Sequence, residues 1–182
     1  MARLTARAAL AGALAVALSL YGLYWVIAIV DEQVYRVSFL LVALALTFVD
    51  GRGTRPAADG LLAVLTVIAL GWPLVDHASF PYRAATPTAV DLTLGIVAIL
   101  LVLEATRRTA GWVLPATAVL FILYAYLGPL FDLVGLSAIA HRGYYPDRLV
   151  GTLYMTLDGI FGVPLEVTAT YIILFSVYGA VL

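Results

Sequence analysis

Long uncharged apolar runs, separated by short polar breaks, set the plan of this chain. The first extends from Ala8 to Val30. As a helix it is about 34 Å long, enough for a hydrocarbon core of about 30 Å. A cleaved signal peptide would have a shorter apolar region and a small-residue site after it; here the run continues through Tyr21, Tyr24 and Trp25 and reads as an uncleaved helix. Asp31-Glu32 ends it. The second run is Val34 to Val49, with Arg36 near its start, where an arginine can snorkel to headgroups. A turn-rich loop, Asp50 to Pro56, leads to the third, Gly60 to Val75, closed by Trp72-Pro73 and Asp76-His77. Beyond the Ser79–Pro87 loop, Thr86 and Pro87 form an N-cap and N1 pair for a fourth helix. It carries Asp91 and Glu104 and runs to about Thr106, with Arg107-Arg108 as its boundary.

Trp112 to Leu130 predicts a fifth crossing, with Pro115 in its first turn and Gly128-Pro129 as its stop. Residues 146–158 predict an amphipathic helix. Leu149, Val150, Leu153, Tyr154 and Leu157 share one face, and Arg148, Thr152 and Thr156 share another. Such a helix is expected to lie in the membrane surface. Gly159 and Gly162-Val163-Pro164 end it and start a last apolar helix that reaches Leu182 in mid-pattern. The expectation is an N-terminal piece of a longer membrane protein.

Composition agrees with the pattern. The chain is 64% hydrophobic with a formal net charge of -1; a soluble domain is about half apolar. Near-neutral charge gives no footing for nucleic acid. No cysteine is present, which removes disulfides and thiolate metal sites and leaves the redox compartment open. All ten basic residues are arginine. Two fall at the N-terminus, two between Asp50 and Asp59, and two between Glu104 and Arg108, whereas the 31–36 and 76–91 connections hold one each among several acids. The positive-inside rule then puts the N-terminus in the cytoplasm.

Candidate chemistry is sparse. His141-Arg142-Gly143-Tyr144 is the most polar cluster. It reads either as a contact surface for a partner or anionic headgroups, or as a solvated turn anchored by Arg142. A lone histidine without a second ligand at metal spacing is a poor metal site, and His77 is weaker still. Asp91, Glu104 and Glu166 lie within about a turn of helix ends, where the bland reading is interfacial and structural; Asp91 and Glu166 are near N-termini, which favour a carboxylate. Asp158 reads as the end of the surface helix. No hydrolase, zinc, redox or phosphate-loop motif is present, so no catalytic, cofactor-binding or metal-binding residue is named and no enzyme activity is expected.

Several segments together carry a family resemblance: Gly111-Trp112-Val113-Leu114-Pro115-Ala116, Tyr124-Ala125-Tyr126 with Gly128-Pro129, His141-Arg142-Gly143-Tyr144, and Gly159-Ile160-Phe161-Gly162-Val163-Pro164-Leu165. Thr168-Ala169-Thr170-Tyr171, Phe175 and Gly179 continue it. The chain resembles the fused permeases of tripartite ATP-independent periplasmic (TRAP) transporters, in the subtype served by TAXI-type binding proteins. Glu166 stands where the family is expected to have a small residue. The resemblance implies an all-α integral membrane protein. A Q-like four-helix unit would occupy 1–108 and a linking transmembrane helix 109–131. The start of an M-like transport unit, truncated, would occupy 132–182. It implies import of organic anions across the bacterial inner membrane, driven by an ion gradient, typically sodium. The implied partners are a periplasmic substrate-binding protein of the TAXI type, the lipid bilayer and the remainder of the M-like unit. The alternatives are the small four-helix subunit of a tripartite tricarboxylate transporter, or a non-transporting membrane scaffold.

Overall fold

A computed structural model describes residues 2–50, 56–133, 135 and 137–182. Among them all regular structure is helical: α1 (Ala2–Ile27), α2 (Glu32–Val49), α3 (Pro56–Val75), α4 (Ala89–Ala110), α5 (Val113–Leu133), α6 (Pro146–Met155), α7 (Val163–Val167) and α8 (Ile173–Val181). A π-helical segment, Thr168–Ile172, joins α7 to α8 without a break. Six of the resulting helices are long and apolar enough to cross a membrane: α1 to α5, and the α7–α8 run. The 51–55 segment, with Arg52 and Arg55 of the arginine count, lies outside the described residues.

Capping residues fix where the spans begin. Asp31 accepts from the backbone N–H groups of Gln33 and Val34 and starts α2. Thr88, rather than Thr86, caps α4. Its hydroxyl accepts from Asp91 N while the Asp91 carboxylate accepts from Thr88 N, a reciprocal capping box. The box takes precedence over the Pro87 signal, and Pro87 stands just outside the helix. The C-terminus of α4 runs on to Ala110, past the boundary expected near Thr106. Glu104 bonds Arg107 and Arg108 at i+3 and i+4, which supports the extra turn, and Gly111, at φ 83°, closes it.

Consecutive spans alternate in direction. One end, called here the N-terminal end, gathers Asp59 of α3 and Arg108 of α4, 2.7 Å apart, with Phe48 of α2 under the Arg108 guanidinium. The opposite, far end gathers Trp72 of α3 with Asp91 of α4, and Arg36 of α2 with Glu166 of α7. Between these ends the packing is apolar: Val37, Leu44, Phe48, Ala69, Leu70, Ala98 and Leu101 form one core with Val150, Tyr154, Met155 and Phe161 of the far-end connection. Broad apolar faces remain on the outside of α1, α3 and α5, with Leu20, Val64, Val67 and Phe121 more than half exposed. That inside-out distribution suits a bilayer as solvent.

Two expectations about prolines fail for the same reason. Pro73 does not close α3 and Pro129 does not stop α5; both lie inside their helices. A proline interior to a helix leaves the carbonyl four residues earlier without its N–H donor. Each freed carbonyl has found a donor elsewhere. Ala69 O accepts from the Tyr154 hydroxyl, and Ala125 O accepts from Tyr144 N at 2.9 Å. Both donors come from the described 137–162 part of the connection, which therefore folds back along the helices instead of spreading over them.

Candidate functional site

The far-end connection is where the polar chemistry concentrates. Its first half descends along α5. His141 N donates to Gly128 O at 3.5 Å and Tyr144 N to Ala125 O. The His141 ring lies directly on Gly128: a Cβ there would meet ring atoms at 2.3 Å. Its Nε2 is 3.1 Å from Tyr124 O, and its Nδ1 accepts from Gly143 N at 3.0 Å. With Nδ1 accepting, Nε2 is the ring nitrogen placed to donate to Tyr124 O. Gly143 adopts φ 71° in this turn and packs on Pro129. His141 is thus a packed structural residue. The solvated-turn reading gives way to a docked one, with Arg142 pointing outward and exposed. His77 is exposed and takes no part.

The second half is α6. Its apolar face turns to protein and not to lipid, contrary to the surface-helix expectation. Val150, Gly151, Tyr154 and Met155 are buried. Gly151 sits against Ala84 O, where a Cβ would come within 2.1 Å, and Gly95 of α4 makes room for Val150 and Tyr154. Phe80 meets Tyr154 edge-on at 5.3 Å. Burial pushes the Tyr154 hydroxyl well above its usual range, which keeps it a donor to Ala69 O. α6 ends at Met155, short of Asp158, and a turn through Gly159 and Gly162 leads to α7.

Asp91 is the centre of one cluster and is fully buried. It accepts from Trp72 Nε1 at 2.8 Å, from Thr88 N and Oγ1 at 3.0 and 2.7 Å, and from Arg83 Nε at 3.3 Å. Arg83 also bonds Asp76 and Ser79, each at 2.5 Å. The Ser79 hydroxyl, then Arg83, hold the Asp76 carboxyl below its usual range, and the bonds to Asp91 and Asp76 raise Arg83 above its own. Every acceptor of Asp91 is occupied, so the group ties α3, the 76–88 loop and α4 together.

Arg36 forms the second cluster and corrects the snorkelling expectation. It is 3% exposed. Nη1 donates to Phe161 O at 2.7 Å, and Nη2 reaches Glu166 at 2.7 Å and Glu32 on its own helix. Beside it Tyr35 stacks on Trp25 at 4.0 Å and donates to Ala169 O, inside the π segment, at 2.5 Å. Glu166 and the Ala169 carbonyl thus both fasten the last span to α2. At the N-terminal end Glu104 pairs with Arg107 and Arg108, and Arg108 with Asp59. Among the described residues no group of three or more His, Cys, Asp or Glu side chains could hold a metal ion.

Sequence reasoning placed Asp91 and Glu166 near helix N-termini, where they lie; Glu104, expected within about a turn of the end of α4, lies six residues before Ala110 because the helix runs on. It missed Asp59 and Tyr154 as bonding partners. The Thr88–Asp91 spacing was a usable signal for the capping box; the Arg36–Glu166 and Asp59–Arg108 pairs carry none, being far apart in the chain.

Compared with models of known protein families, with curated proteins and with solved structures, the chain matches none of them. The fold itself defines the class. This is a multi-helix, all-α protein with six candidate membrane-spanning helices, as expected of a multi-pass membrane protein.

Proposed function

We propose that the chain is the membrane-bracing part of a permease in a binding-protein-dependent secondary transporter of the TRAP type. One observation carries this reading. Several of the residues on which the family resemblance rests build the far-end connection: Gly128 under His141, Gly143 on Pro129, Tyr144 on Ala125, and the Gly159–Gly162 turn. In this reading 1–108 is the Q-like unit, 109–131 the linking helix and 132–182 the entry to the M-like unit. The far end faces the periplasm and a TAXI-type binding protein, and an organic anion enters with an ion, typically sodium. The described charge clusters sit at helix ends and join helices to one another, which suits bracing. In secondary transporters the substrate and ion sites belong to broken helices near the midplane.

The test is uptake of a panel of labelled carboxylates by cells with the gene intact, deleted or restored, with and without a sodium gradient. The proposal predicts that deletion abolishes gradient-dependent uptake of at least one compound and that restoration recovers it. Unchanged uptake across the panel would favour the second reading, a non-transporting membrane scaffold. The same helix-end placement of the charge clusters supports that alternative.

A further inference from the structure

We infer that the far end carries a binding site for the headgroup of an anionic phospholipid, formed by Arg142 and Arg148. The described arginines Arg36, Arg83, Arg107 and Arg108 each pair with at least one carboxylate. Among the described residues Arg142 and Arg148 pair with no carboxylate. They border one cavity of about 870 Å³, with Tyr124, Tyr144 and Tyr145 in its wall.

Depth decides what that cavity takes. Tyr144 is bonded to Ala125, seven residues before Asp132, the first charged residue of α5 at this end. At 1.5 Å per residue the 141–145 segment dips about 10 Å below the level of Asp132. Its backbone therefore runs beside the apolar part of a spanning helix. An arginine rooted there extends its stem along apolar surface and seeks oxygen acceptors at headgroup level. A second cavity, of about 430 Å³, adjoins the first and shares Arg142, Gly143, Tyr144 and Tyr145. Its other wall is Tyr126, Leu127, Pro129 and Leu130 of α5. A cationic chamber opening onto an apolar groove matches an anionic head on acyl chains. Tyr126, Tyr144 and Tyr145, all more than half exposed, supply the aromatic belt usual at this level. Guanidinium groups donate two parallel bonds to phosphate oxygens, so two arginines converge well on one phosphodiester.

The experiment is native mass spectrometry of the full chain purified in detergent, titrated with phosphatidylglycerol, phosphatidylcholine or soluble glycerol phosphate. The wild type is expected to retain phosphatidylglycerol over phosphatidylcholine, and the R142Q/R148Q variant to lose that preference, binding phosphatidylglycerol roughly tenfold more weakly. The single exposed substitution R148Q is expected to fall between, and circular dichroism checks that each variant keeps its helices. Equal retention of the two lipids by the wild type overturns the inference. So does an unchanged preference in a folded double variant. Tight binding of glycerol phosphate alone also overturns it, because the site would then take a free anion.

Discussion

Arg36 shows what a buried charge does in this molecule. Its guanidinium is held by Glu166, Glu32 and the Phe161 carbonyl, so three elements depend on one side chain. Removing it leaves a carbonyl without a donor and two acids without a partner, and breaking a buried pair costs about 3 kcal/mol or more. Both acids are partly exposed and regain water, so the loss is expected at the lower end of that range. Thermal unfolding of purified R36A, E166Q and wild type, followed by tryptophan fluorescence, checks this. R36A should melt lowest and E166Q between. An R36A midpoint equal to that of wild type would show that the Arg36 contacts do not help to fasten the last span.

At the scale of elements, the far-end connection is a set of close approaches that only glycine permits. Gly128→Ala puts a methyl group into the His141 ring and should lift the 141–145 segment off α5. Trypsin would then cut after Arg142 several-fold faster, while helix content stays the same. Gly151→Ala drives a Cβ into Ala84 O and should cost about 1–3 kcal/mol, the range for overpacking. Gly12→Ala, which meets nothing, is the control and should be neutral or slightly stabilising. Equal unfolding midpoints for G151A and G12A would refute the docked placement of α6.

The same elements show what the chain's pattern could and could not reveal. The six spans were legible because an uncharged run of bilayer length has few other solutions. The apolar face of α6 was legible too, but not its destination, since lipid and protein satisfy such a face equally well. Pro73 and Pro129 looked like stops because local rules see only the bond that a proline removes. The replacement donors, Tyr154 and Tyr144, lie 85 and 19 positions from the freed carbonyls of Ala69 and Ala125, respectively, and enter only with the tertiary structure.

At the scale of the whole molecule, charge is divided between the two ends. Arg36, Arg83, Arg142 and Arg148 belong by position to the far end, and Arg3, Arg7, Arg107 and Arg108 to the N-terminal end; Arg52 and Arg55 fall in the sequence between α2 and α3, outside the described residues. Of the eleven acids, Asp50, Asp59 and Glu104 belong to the N-terminal end and the remaining eight to the far end. The far-end excess of acid does not set orientation, because acids contribute little to the positive-inside rule; the arginine count does. On that rule the count predicts a cytoplasmic N-terminal end and an outer far-end connection.

The absence of native cysteine makes that orientation directly measurable. Single cysteines introduced as His77→Cys and Thr109→Cys lie at exposed positions on opposite ends. They would be labelled with a membrane-impermeant maleimide, before and after permeabilisation, in cells whose outer membrane admits the reagent. The account predicts that the cysteine at 77 reacts in intact cells and the one at 109 only after permeabilisation. Labelling of both in intact cells, or of 109 alone, would contradict an arrangement in which the α6 connection closes the outer face of the helix bundle.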